Sequence, residues 1–242
     1  MIYNKNGMVI KKVKENKFQI IFNHELSAMH FNNIFVKCYK KINLKTKKES
    51  NDNINVEIEA DNILSLKSYI KKNKGYLTYY QIMSLYLDIG NQIKCLEKMH
   101  NKTMFLLNMD DIYVMEPMYE ENVPIKEPYM FMVNFSNLVD INKETQMIDI
   151  DNSFENNMFS SPELRMVKSF PTRIHSKSIY YSLSMLCCHC LKTIPKQLDL
   201  NNAEQLNQYL ESALNNLYES KLYWAIRRCL HINPIKRYHM II

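Results

Sequence analysis

A few groups of side chains in this sequence have the types and spacing that chemistry requires. Cys187-Cys188-His189-Cys190 places four potential zinc ligands in a row. A structural zinc site needs its ligands in spaced pairs so that a loop can wrap the ion. Contiguous ligands in an apolar helix point in different directions, so this run predicts a packed helix core. His100, His175 and His189 stand at no recognisable spacing from a Ser or Cys partner, which leaves a hydrolase triad unsupported. Lys11 lies on a candidate strand with Lys12 and Lys14 beside it, which suggests a solvated strand face. Lys37 through Lys48 contains six lysines. Such a loop can track a phosphate backbone, but Tyr39 is its one interleaved aromatic, and a solvated hairpin loop is the default.

The rest of the composition narrows what these groups can be. The chain has 242 residues, enough for one large domain or two small lobes sharing a cleft. Hydrophobic residues make up 46% and charged residues 23%, values ordinary for a globular protein with a proper core. There are three glycines, which argues against a function built on a glycine-rich phosphate loop. The net charge is +6. The start, Met1 to Asn6, lacks the apolar core of a secretory signal. The apolar stretch Leu183 to Leu191 is interrupted by Ser184 and His189 and is far shorter than the ~20 residues of a membrane span. An intracellular, cytoplasmic protein is expected, with its six cysteines as buried free thiols.

Periodicity supplies the elements that must position these groups. Met8-Val9-Ile10-Lys11, Ile34 to Lys40 and Ile54 to Ile58 read as strands, the last two flanking a loop of Lys, Asn and Ser. Ser65 to Ile70 reads as a helix stopping at Gly75. Thr78-Tyr79-Tyr80-Gln81 is a capping-box pattern. After it Ile82, Leu85, Ile89, Ile93, Leu96 and Met99 form one apolar stripe. Ile112-Tyr113-Val114 and Met130 to Val133 read as short strands joined by a long acidic connection, Glu116 to Tyr129. Asn137 to Ser160 is polar. Ser178 to Leu191 should be a buried helix, followed by an amphipathic helix marked by Leu206, Leu210, Leu214 and Leu217 and another from Tyr223 to His231.

In this order the segments resemble the eukaryotic protein kinases. Ser161-Pro162-Glu163 is similar to the family's A-P-E motif, and Cys229-Leu230-His231-Ile232-Asn233-Pro234-Ile235-Lys236-Arg237 to its closing C-L-x-x-x-P-x-x-R motif. The resemblance implies a buried ion pair between Glu163 and Arg237. Met8 to Lys11 resembles the V-A-I-K strand, Glu25 falls where the family places its C-helix glutamate, and Asn33 to Val36 resembles the start of the next strand. A Lys11–Glu25 pair and a nucleotide-phosphate role for Lys11 are implied. The glycine loop would precede Met8, where seven residues with one glycine, Gly7, are present. A truncated lobe and a start codon further upstream both remain open.

The catalytic positions are where the sequence departs from the family. Aligned from Ile112-Tyr113-Val114, the H-R-D-L-x-x-x-N loop reads Met104 to Asp111. Leu106 then takes the place of the proton-accepting aspartate and Asp111 that of the metal-binding asparagine. A two-residue deletion puts Asn108 at the aspartate position instead. Neither leucine nor asparagine is a general base, and loss of that role removes a factor of about 10²–10⁴ in rate. The D-F-G position reads Asn134-Phe135-Ser136, without the carboxylate that a magnesium site favours. The aspartate that anchors the catalytic turn in the family is replaced by Ile179, as if loop and anchor had been lost together.

The resemblance, from Met8 to Arg237, implies a two-lobed α+β protein-kinase-like fold. Residues 1–60 form a truncated β-rich first lobe and 61–242 a mainly α-helical second lobe. Its function is expected to be that of a pseudokinase, a binding or regulatory module for another protein such as an active kinase or its substrate. No cofactor, no metal and no membrane association are expected, and nucleic acid is a disfavoured partner. Two alternatives stand beside it. One is a divergent active Ser/Thr kinase using ATP and magnesium through Asp110 or Asp111 and Asn134. The other is a basic nucleic-acid-binding protein acting through Lys40 to Lys48.

Overall fold

The computed structural model of the chain describes residues 3–5, 8–22, 29–31, 33–34, 45–48, 54–117, 128–132, 135 and 138–240. Over these residues the fold is mixed α+β, with small antiparallel sheets and helices packed around a common apolar core.

Alternation of side chains builds the first sheet, whose strand order is β1-β2-β3-β5-β4. Its strands are β1 (Tyr3–Lys5), β2 (Met8–Lys14), β3 (Lys17–Phe22), β4 (Lys45–Lys48) and β5 (Ile54–Glu59). Phe18, Ile20 and Phe22 of β3 are buried with Ile10, Val56 and Ile58 from its neighbours, while Lys17 and Glu59 face water. Period-two burial of this kind fixes the register, since a one-residue slip would turn every apolar side chain outward. Strands β2 and β5 lie where the apolar pattern puts them. β4 falls in the stretch expected as a loop. It pairs with β5 along one edge, and lysines are a common composition for a strand that must not recruit another chain. Of the strand expected over Ile34 to Lys40, residues 35–40 lie outside the described residues.

The second sheet joins β6 (Asn62–Ser65), β8 (Ile112–Glu116) and β9 (Tyr129–Met132) in the order β6-β8-β9. Two further ribbons pair β7 (Lys102–Met104) with β10 (Leu138–Asp140), and β11 (Met147–Ile150) with β12 (Thr172–His175). The stretch 137–160, expected to be merely polar, thus contains β10 and β11. In β11 Ile148 and Ile150 are buried and Asp149 is exposed.

Helix α1 (Leu66–Lys72) is capped by Ser65 and ends where Gly75, at φ 95°, donates its N–H to the Ile70 carbonyl at 2.9 Å. Helix α2 (Tyr79–His100) opens with a reciprocal Thr78–Gln81 capping box and closes on Asn101 in the left-handed conformation. Its buried face runs through Ile82, Leu85, Ile89, Ile93 and Leu96, whereas Met99, expected on the same stripe, is exposed. Gln92 is fully buried on this face. It donates to the Met130 carbonyl (2.8 Å) and accepts from the Met132 N–H (2.9 Å), so the edge of β9 is completed by a helix side chain. Helix α4 (Ser178–Leu191) is buried nearly all round and packs against α2, α5 (Ala203–Leu214) and α6 (Lys221–Cys229). Among the described residues no helix is long and apolar enough to cross a membrane.

Candidate functional site

The turn between β7 and β8 carries most of the positions where the sequence reading puts lost catalytic groups. Phe105 and Leu106 point into a small apolar cluster with Ile141, Ile148, Ile150, Leu164 and Ile174, and Leu106 is 4% exposed. A side chain packed this way meets neither water nor substrate. The next residues are tied down by hydrogen bonds. Asn157 Nδ2 donates to the Leu107 carbonyl at 2.9 Å and to Asn108 Oδ1 at 2.6 Å. The Asn157 Oδ1 accepts from the Phe159 N–H at 2.8 Å. The side chain of Asn108 is therefore held in a structural bridge between two segments rather than presented as a proton acceptor.

Ile179 is fully buried, and the turn is tied to α4 one helical turn further on. The Ser182 hydroxyl, three residues further along α4, accepts the Leu107 N–H at 3.0 Å. Burying that N–H without a partner would be costly, and a small hydroxyl supplies the acceptor without burying a charge. Ser182 is one of three buried serines in α4, with Ser178 and Ser184, and nothing in the sequence singles it out as the acceptor.

Of the remaining candidates, Asp110, Asp111 and Lys11 are among the described residues. A single 3₁₀ turn, Met109–Asp111, follows the anchored loop, with Asp111 buried and Asp110 half-buried. Lys11 is exposed on β2, opposite Gln19 of β3. Glu25 and Asn134 lie outside the described residues, so no Lys11–Glu25 contact is assigned. Phe135, beside Asn134, is buried within 6.3 Å of the His30 ring, and His30 in turn meets His100 edge-on at 4.8 Å. Burial, with His100 and Lys102 nearby, holds His30 below the usual imidazole range.

Glu163 and Arg237 come together. Helix α3 (Pro162–Arg165) begins at Ser161 and carries Glu163 in its first turn. The Arg237 guanidinium, 0% exposed, bonds both carboxylate oxygens, with Nη2 at 2.9 Å from Oε2. Its other donors go to the carbonyls of His231 (2.6 Å) and Ile232 (2.7 Å), and its plane lies 5.0 Å from the Tyr181 ring. Ser178 adds a third donor to Glu163 at 2.7 Å, and its hydroxyl also contacts that of Ser161 at 2.9 Å. Burial alone would push the Glu163 carboxyl up, but the Arg237 bonds and charge outweigh it and hold it below the usual carboxylate range. This is a satisfied structural pair, without a free group to act on a substrate.

The cysteine run behaves as a core. Cys187, Cys188, Cys190 and Cys229 are buried free thiols. Burial pushes Cys188 up to about 12 and Cys229 up to about 11, so neither is a thiolate that would take a metal. His189 Nδ1 accepts the Ile194 N–H at 3.2 Å. Cys95 departs from the expectation of free thiols, being disulfide-bonded. Among the described residues no three His, Cys, Asp or Glu side chains gather as a metal site.

A further cluster was not foreseen. His239 lies in a notch of α2 made by Gly90, where an added Cβ would stand 1.9 Å from the imidazole Nε2, far inside contact distance. The ring stacks on Tyr86 at 4.4 Å, with Nε2 3.1 Å from the Tyr86 carbonyl. Lys94 donates to the His239 carbonyl (2.9 Å), and the Met240 N–H to the Tyr86 hydroxyl (3.1 Å). One of the scarce glycines thus serves close packing of the last described residues. No family model matches the sequence, and no curated protein matches it.

Proposed function

We propose that the chain is a protein-kinase-like domain without working phosphotransfer chemistry, a pseudokinase that acts as a binding or regulatory module for another protein. The fold proposed is the two-lobed kinase-like arrangement, residues 1–60 contributing the strand-rich part and 61–242 the helical part. One observation carries the reading most directly. Leu106, at the position that the resemblance gives to the proton-accepting aspartate, is packed into an apolar cluster. Three others agree with it. Asn108, the alternative at that position, is bonded to Asn157, the loop is anchored by an uncharged serine, and Glu163 and Arg237 form the pair expected of the A-P-E and C-terminal motifs.

Phosphoryl transfer depends on placement and on charge neutralisation by metal-bound carboxylates and a lysine. A chain that has exchanged those groups for leucine and amides while keeping its structural ion pair is a frame for contacts. A thermal-shift titration with ATP, with and without magnesium, tests this. A ligand that binds only the folded state raises the melting temperature by mass action. The proposal expects no magnesium-dependent shift at millimolar nucleotide. A clear shift that disappears in Lys11→Ala would replace it with the divergent-kinase alternative.

A further inference from the structure

Helix α6 presents to solvent a face of unusual make-up. Its exposed positions are Lys221, Trp224 and Arg228, with Tyr223 and Arg227 half-buried at its flanks. At helical spacing Lys221, Trp224 and Arg228 share one side, with about 10 Å of axis between the two cations. Aromatic neighbours extend the face at both ends. Tyr218 meets the Tyr223 ring at 5.4 Å, and Tyr223 meets Trp224 at 5.0 Å, both edge-on. Beyond them the Arg228 guanidinium lies 4.6 Å from the Tyr238 ring. Tyr218 is 64% and Trp224 56% exposed, values high for side chains whose burial would be favourable. No aliphatic side chain of α6 itself is exposed, although Ile232 and Ile235 just beyond it are.

The charge of the surrounding sequence is mostly positive. From Tyr218 to Met240 the sequence has one carboxylate, Glu219, against Lys221, Arg227, Arg228, Lys236 and Arg237. Arg237 is committed to Glu163, which leaves four cations for an outside partner. The complement of this surface is a polyanion that also carries flat rings. An acidic peptide would match the cations but would have no use for the aromatic faces.

We propose that this face of α6 binds single-stranded nucleic acid. Bases stack on Trp224 and Tyr218 while Lys221, Arg227 and Arg228 meet the phosphates, a combination that tolerates any sequence. The site goes beyond the pseudokinase reading and does not rest on it. It uses none of the residues of the lysine-rich stretch 37–48.

Trp224 is the chain's one tryptophan, so its emission reports on this site alone. The experiment is a titration of the whole protein with a twelve-nucleotide oligo-dT, following Trp224 fluorescence and, in parallel, the anisotropy of a labelled oligonucleotide. Stacking should quench the emission on the same curve as the anisotropy rises. With three phosphate contacts, affinity should fall about 18-fold between 50 and 200 mM salt. In Lys221→Ala/Arg228→Ala one contact remains and that fall should shrink to about 2.6-fold. Tyr218→Ala should weaken binding about fivefold or more. All three positions are at the surface, so the variants keep the fold, which a melting curve checks. Binding without quenching, or binding untouched by the double variant, would overturn the proposal by placing the contact elsewhere. So would no binding at 50 mM salt. A response of Trp224 to poly-glutamate but not to oligo-dT would overturn it in favour of an acidic protein segment.

Discussion

Replacing Arg237 with methionine should destabilise the protein far more than loss of a surface ion pair. Methionine replaces much of the apolar stem, so the cost is chiefly electrostatic. Glu163 would keep the Ser178 hydroxyl as its side-chain donor, and the carbonyls of His231 and Ile232 would lose theirs. Breaking a buried pair by removing one partner costs about 3–5 kcal/mol. The Glu163 side chain is 19% exposed, and water reaching it relieves part of that cost, so the lower end, about 3 kcal/mol, is expected. In a chain of this size each kcal/mol moves the melting temperature by about 2–4 °C, giving a drop of about 6–12 °C. Urea unfolding followed by circular dichroism gives the free energy, and calorimetry gives the temperature. A second variant separates charge from packing: Glu163→Leu with Arg237→Met removes both charges and should recover most of the loss, because an apolar replacement of a buried pair is often neutral. A loss below about 1 kcal/mol in Arg237→Met, the value of an exposed pair, would refute the reasoning.

Other perturbations probe the contacts described above. Ser182→Ala leaves the Leu107 N–H buried without its acceptor and should cost about 1–3 kcal/mol in urea unfolding. Gly90→Ala should destabilise by about 1–3 kcal/mol despite alanine's better helix propensity, since the new Cβ displaces the His239 ring. Adding His239→Ala should restore stability, again read by urea unfolding. Burial pushes His239 down to about 4, so it stays neutral in the folded protein while an unfolded histidine begins to protonate near 6.5. Its contribution is therefore complete above about pH 6.5 and is lost as pH falls towards about 4, on the order of 3 kcal/mol in all. Glu163, with its lowered value, loses its own contribution only at lower pH, as the medium falls through its folded pKa. A His239→Leu variant should show a shallower first decline than the parent, since other buried histidines such as His30 share it, and should keep the Glu163 loss in melts carried from pH 8 to about pH 2.

What was legible in the sequence followed from periodicity and paired motifs. The face of α2 and the burial of α4 could be read from residue types alone, whereas the meeting of Glu163 with Arg237, 74 residues apart, was implied only by the resemblance of their two motifs. Strands β4 and β11 could not, for each has four residues and owes its existence to a partner strand rather than to its own propensity. The Ser182 anchor was hidden for a similar reason. A hydroxyl in an apolar helix says nothing of an N–H 75 positions away until the helix has docked. The notch at Gly90 needed knowledge of where His239 would lie, and no local pattern contains it. Met99 shows the opposite failure: it continues the helical stripe of α2, but the neighbours that would cover it stop one turn earlier. At the candidate catalytic turn the residue types were legible in the sequence and the contacts they make were not. Leu106 and Asn108 were visible as poor bases, whereas the apolar packing of Leu106 and the bond that Asn108 accepts from Asn157, in a stretch read only as polar, were not.

The central claim is that the chemistry is gone from a frame that persists. The most direct measurement is transfer of labelled phosphate from ATP, with magnesium or manganese, to the protein itself and to a generic basic substrate such as histone. The account predicts no transfer above the level of a sample carrying Asp111→Ala, and no difference between the two. Transfer that depends on the metal and is abolished by Asp111→Ala or Lys11→Ala would contradict it.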